Sequence, residues 1–211
     1  MIAAVRGRLE ALDTVRELAY KQSREVIRLC ASAIRAVHRT QWAEAEQLIG
    51  EAETAVASLT AATQPFPQIY YAGYTQDCVK EYVEAELTYA LVRNRPLKSA
   101  EELHVDEAAW INGLAEAASE VRRHILDLLR HEQYDESERL LDDMDSIYTA
   151  LVTLDFHDAV SGGLRRRLDA VRPVLERTRG DVTTSLRQAK LEQALAQLEE
   201  GLRERGGNEE G

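Results

Sequence analysis

The chain has few of the residues that interrupt or cross-link structure. Its 211 residues include two cysteines, four prolines and eleven glycines. Cys30 and Cys78 lie far apart and form no C-x-x-C pair, so structural thiols on helices are the expectation. The scarcity of proline and glycine argues against a disordered, Pro/Gly-rich chain. No stretch approaches the roughly 20 apolar residues that a bilayer span needs. The opening, MIAAVRGRLEALDTV, has charges where a signal peptide needs its apolar region, so a cytoplasmic protein with no membrane partner is expected. Paired C-x-x-C, H-E-x-x-H and G-x-x-x-x-G-K-[ST] motifs are all missing. Glu101 and His104 have the E-x-x-H spacing of a di-iron bundle, but only once and in a connector. The five histidines are scattered and offer little to a histidine-based catalyst. No fixed-period repeat is visible.

Apolar residues make up 45% of the chain and charged residues 30%, enough to bury a sizeable core at this length. Apolar positions recur at helical spacing nearly everywhere. Long helices are expected over Ile2–Val37, Gln41–Leu59, Tyr70–Val92, Asp106–Arg130, Asp135–Leu154 and Leu164–Leu198. Pro65 and Pro67 mark a loop over 60–68, Asn94-Arg95-Pro96 ends the third helix, and Ser161-Gly162-Gly163 allows a break. Residues 97–104 read as a connector with a short turn, and Pro173 and Gly180 as weak points of the last helix. This predicts an all-α layer or bundle of long antiparallel helices, one domain over 1–205 and a frayed polar tail at 206–211.

The net charge of -11 argues against indiscriminate nucleic-acid binding through a broad basic surface. A local basic track remains compatible with it. At about 100° per residue, Arg24, Arg28, Arg35 and Arg39 of the first helix fall on one side, with His38 flanking them and Lys21 near the same edge. Such a row can follow a phosphate backbone. It equally suits a solvated face paired with Glu25 or a neighbouring subunit. Trp42 and Trp110 read as core or contact residues rather than base-stacking platforms.

Two further rows are acidic. Glu81 and Glu84 share a face of the third helix, with Asp77 adjoining them. Glu116 and Glu120 share a face of the fourth, near Asn112, Arg123 and Asp127. Like charges at this spacing repel, and a divalent cation bridging two such rows would offset that. Oxygen donors suit Mg²⁺ or Mn²⁺. The same spacing also fits two solvated faces that never meet.

Four segments, in order, carry a resemblance. Y71-A-G-Y-T-Q-D-C-V-K-E-Y-V-E-A85 resembles the Y-x-G-x-x-Q…Q-E-Y-V-E-A segment of the translin and translin-associated factor X family, with Lys80 where Gln is usual. G113-L-A-E-A-A-S-E-V-R-R123 is similar to its G-x-x-D-x-x-G-E-L-x-R helix, with Glu116 for Asp and Ser119 for Gly. M144-D-S-I-Y with G163-L-R-R-R-L-D-A-V-R-P-V-L-E-R-T178 resembles its C-terminal helix, and S23-R-E-V-I-R-L-C-A-S-A-I-R-A-V-H-R39 its S-R-x-I…H-R helix. The resemblance covers most of residues 15–195. It implies a seven-helix translin fold and a barrel-like homo-oligomer, commonly an octamer, that binds single-stranded RNA or DNA in its cavity.

In the factor X branch it implies a Mg²⁺-dependent endoribonuclease. The metal and catalytic residues carried over are Glu81, Glu84, Glu116 and Glu120, and Arg24, Arg28, Arg35, His38 and Arg39 become RNA-facing. The C-terminal basic run Arg165, Arg166, Arg167, Arg172, Arg177 and Arg179 reads as structural or at a subunit contact. A non-catalytic single-strand binding oligomer and a helical adaptor are the competing readings.

Overall fold

A computed structural model describes residues 1–208, with side chains placed to residue 203. The described residues form nine helices and no strand: α1 (Ile2–His38), α2 (Trp42–Thr63), α3 (Pro67–Tyr70), α4 (Gly73–Val92), α5 (Ala100–Leu103), α6 (Glu107–Arg130), α7 (Tyr134–Val152), α8 (Asp158–Ser161) and α9 (Leu164–Asn208). The all-α expectation is met. α3, α5 and α8 are single turns of four residues, and the others are long. No helix among the described residues is long and apolar enough to cross a membrane.

The element ends follow local chemistry, with some departures from expectation. α2 runs to Thr63, past Leu59. Pro67 then opens α3, a position where its missing N–H is no loss. In the connector, Ser99 and Glu102 form a reciprocal capping box that starts α5. α9 continues past Leu198 to Asn208 with Pro173 inside it. Of the tail expected at 206–211, residues 209–211 lie outside the described residues. α1 and α6 are followed by Thr40 (φ 57) and Glu132 (φ 58) in left-handed backbone, a conformation more often given to glycine or asparagine.

The packing comes from seams of apolar and small residues. α1 buries Ala19, Ser23, Val26, Cys30, Ala33 and Val37, and α2 buries Ala45, Ile49, Ala52, Val56, Leu59 and Thr63. Both sets alternate steps of four and three, the spacing that lets long helices pack nearly in line. α4 packs against α1, α2 and α6, and α6 against α4, α7 and α9. α4 is thus central, and it buries polar residues as well as apolar ones. Glu86, 7% exposed, pairs with Lys98 at 2.7 Å. Both cysteines are buried free thiols. Burial first, then nearby acidic groups, pushes both thiols well above their ordinary value, that of Cys78 up to about 12.

Gly113 sets the spacing between α4 and α6. A Cβ there would lie 2.7 Å from both Cβ and Cγ1 of Val83 and 2.9 Å from the Lys80 carbonyl oxygen. Val83 faces Gly113 and Lys80 reaches Glu116, so the two helices run antiparallel with their acidic segments side by side. Adjacent Asn112 donates to the Ala108 and Ser161 carbonyls at 2.6 and 2.7 Å, tying α6 to α8. Gly113→Ala gains about 1 kcal/mol of helix propensity but overpacks the contact, so a net loss of about 1–3 kcal/mol is expected in urea unfolding. Gly50→Ala in α2, with nothing within 4 Å, should gain stability instead. Equal effects of the two substitutions would contradict the close approach.

Candidate metal and nucleic-acid site

The α4–α6 contact brings the two acidic rows together. One carboxylate oxygen from each of Glu81, Glu84 and Glu116 lies within 4.8 Å of the others, the one such group of His, Cys, Asp and Glu found among the described residues. Oxygens sharing one Mg²⁺ sit about 2.1 Å from it, hence at most about 4.2 Å apart. Modest side-chain rotation therefore brings the three within reach of one ion. An all-oxygen donor set suits Mg²⁺ or Mn²⁺ rather than a softer metal.

Glu120 stands one step aside. Its Oε1 lies 2.6 Å from Nε2 of His38, a histidine whose side chain is only 2% exposed. The His38 Nδ1 is buried and has no hydrogen-bond partner among the described residues. His38 therefore departs from the row it was expected to flank and reaches the acidic site from α1. Arg24, Arg28, Arg35 and Arg39 are all exposed along α1. Arg28 pairs with Glu25 at 2.5 Å, and Arg35 donates to the Ser32 hydroxyl at 2.9 Å. The Arg93 guanidinium lies over Trp42, its Cζ 4.8 Å from the centroid of the indole ring, and Trp110 donates to the Lys98 carbonyl at 2.9 Å. Both indoles act as contact residues.

Two cations meet the cluster that the sequence did not place there, Arg167 having read as structural or at a subunit contact. Lys80 donates to Glu81 Oε1 at 2.9 Å and to Glu116 Oε2. Arg167, from α9, places Nε 3.4 Å from Glu116 Oε1, an ion pair without the alignment of a hydrogen bond. The signal for Arg167 was present in the spacing. It falls about 60° from the line of Leu164, Val171, Leu175 and Val182, the residues α9 buries. The other arginines of that run lie further round or at the opposite edge. Lys80 was visible only as a substitution within a motif.

The carboxyls respond differently to this crowding. Burial first, then Glu81, Glu116 and Glu120, pushes Glu84 up to about 8. The His38 hydrogen bond, outweighing burial, lowers Glu120. Nearby, burial and then His38 lower His124. Glu84 is thus favoured in its protonated form by the fold. Its contribution to stability is complete below the ordinary carboxylate pKa and is lost as pH rises toward about 8. Metal-free protein should accordingly lose melting temperature between pH 5 and pH 8, and Glu84→Gln should flatten that decline. Thermal melts at constant ionic strength read the difference, and parallel slopes in the two proteins would contradict it.

No family model matches the chain. It is 32% identical, over 192 residues covering 90% of this chain and 85% of the relative, to the uncharacterized protein MJ0175 of Methanocaldococcus jannaschii. Among solved structures it is similar to AfC3PO, both in a crystal structure and in a complex with duplex RNA. The TM-score is 0.83 and the identity 31%, over 90% of this chain and 98% of that one. It also shares its fold with apo-NeC3PO, at a TM-score of 0.79 and 20% identity, over 87% of this chain and 96% of that one. By that extent of identity and coverage, the chain belongs to the translin-like C3PO family of all-helical proteins.

Proposed function

We propose that the chain is a Mg²⁺-dependent endoribonuclease of the factor X type, cutting single-stranded RNA inside a cytoplasmic homo-oligomeric barrel, an octamer. The observation that carries this reading is the convergence of Glu81, Glu84 and Glu116 from two helices within 4.8 Å. Like charges crowded at a half-buried helix contact repel, and although Lys80 and Arg167 pair Glu81 and Glu116, Glu84 has no ion-pair partner among the described residues. When bound, Mg²⁺ supplies Lewis acidity toward a phosphodiester oxygen. Glu81, Glu84 and Glu116 would hold it. Glu120 completes the set as a carboxylate kept ionised and oriented by His38 Nε2.

Arg24, Arg28, Arg35 and Arg39 would hold the strand. From Arg24 to Arg39 the helix rises about 22 Å at about 1.5 Å per residue, room for several phosphates. Because Arg28 already pairs with Glu25, a phosphate must compete for it, and binding should be salt-sensitive. The RNA complex of AfC3PO supports RNA as the ligand. That complex holds a duplex and the translin resemblance implies a single strand, so both belong in the assay. Assembly is supported by the apolar stripe Leu191, Leu195, Leu198 and Leu202 on α9, each more than half exposed. Its four-three-four spacing is that of a helix–helix seam.

A second reading, a non-catalytic single-strand RNA or DNA binder, is favoured by one observation: an ammonium already bonds Glu81 and Glu116. Labelled single-stranded and duplex RNA incubated with Mg²⁺ or EDTA separates the two. Metal-dependent fragments are expected, and intact RNA with retained binding would establish the second reading instead. Glu81→Ala or Glu120→Ala should abolish cleavage while leaving RNA affinity within about twofold, since neither residue lies on the arginine row that supplies the phosphate contacts. Full activity in both variants would remove the site assignment. Arg28→Glu combined with Arg35→Glu should weaken binding by at least about tenfold at low salt and reduce its salt dependence. Undiminished binding would take the strand off α1.

A further inference from the structure

Lys80 is one of two cations of the cluster, with Arg167, that the proposed chemistry leaves without a task. It is 8% exposed. Its ammonium joins carboxylates of two helices, Glu81 of α4 and Glu116 of α6. Both belong to the group whose oxygens lie within 4.8 Å of one another, whereas Glu84, the third member, has no ion-pair partner among the described residues. Both oxygens of Glu116 face a cation: Oε2 receives the Lys80 ammonium and Oε1 faces Arg167. A divalent ion that takes either Glu116 oxygen therefore meets a cation already placed there.

The chemistry of the two side chains says which one. Arg167 is a rigid, permanently charged guanidinium on another helix. Lys80 carries a compact point charge on a flexible four-carbon stem, which can swing. A dication and an ammonium also repel strongly at contact distance in a partly desolvated site. Resting on the reading of Glu81, Glu84 and Glu116 as a divalent-cation site, we propose that Lys80 is a built-in counter-cation. Its ammonium and the metal compete for the same Glu81 and Glu116 oxygens, and metal binding requires the ammonium to withdraw. The site then keeps its carboxylates in place without metal and releases them only to an ion that displaces the lysine.

Isothermal titration of the full chain with Mn²⁺, after EDTA treatment and dialysis, reads this without reference to cleavage. Lys80→Gln should bind Mn²⁺ at least about tenfold more tightly than the unsubstituted protein, because one unit of positive charge leaves the donor set. Circular dichroism confirms that the helical content is unchanged. Equal Mn²⁺ affinity, even with a lower melting temperature, would reduce Lys80 to a structural ion pair and overturn the competition while leaving the metal site standing. Absence of Mn²⁺ binding by both proteins would instead overturn the metal site, and the competition with it. Should Lys80→Gln fail to fold, the unsubstituted protein carries a second readout. Saturating Mn²⁺ should raise acylation of Lys80 by an amine-reactive reagent several-fold, as followed by mass spectrometry, with the exposed Lys21 as an unchanged reference. Constant labelling of Lys80 would overturn the proposal.

Discussion

The candidate site depends on one missing side chain. Gly113 lets α6 approach α4 until its own Cα lies against Val83 and the Lys80 carbonyl. Only at that distance do carboxylates projecting from the two helices share a space. A larger residue would separate the helices at the level where Lys80 meets Glu116, and would also disturb the neighbouring Asn112 bridge to α8. The close approach creates an electrostatic cost, because like charges crowd in a partly desolvated contact. The surrounding residues compensate for it: Lys80 between Glu81 and Glu116, Arg167 on Glu116 and His38 on Glu120.

Two chemically identical side chains of the site thereby acquire different properties. Glu84, with no cation of its own, is pushed up by burial and by its acidic neighbours. Glu120, bonded to His38, is pushed down. The divergence of like groups by environment is how one site assembles distinct proton affinities from a single residue type. The one ammonium in the cluster, that of Lys80, goes to Glu81 and Glu116 and leaves Glu84 without a cation of its own.

α1 joins the two halves of the proposed function. One side of it packs against α2 and α4 through small residues, and the other presents arginines to solvent. His38, at its end, leaves the exposed row and reaches Glu120 across the bundle. The same helix that would hold a strand therefore orients a carboxylate of the acidic site. The helix ends away from this centre carry exposed apolar residues, Ile2, Val5 and Leu9 on α1 and the leucine stripe on α9. Exposed apolar area of this kind on long helices is the ordinary substrate of assembly between copies.

What the sequence determined by itself was the periodic part. Helical spacing of apolar residues, the proline breaks and the pairing of carboxylates three or four residues apart are local properties, and α1, α4 and α6 lie within a few residues of where they were expected. Ends without a strong signal were less legible: Thr40 and Glu132 adopt a backbone that no residue type announces, and α9 runs on past Leu198 to Asn208. Which faces meet was decided by tertiary structure. Glu81 and Glu116 are 35 positions apart, and only the Gly113 contact, a matter of steric distance between two helices, puts them around one point. The same holds for Lys80, Arg167 and His38. Their charges were plain in the sequence, but an ion pair depends on separation in space, and separation is a property of the packed helices rather than of any one of them.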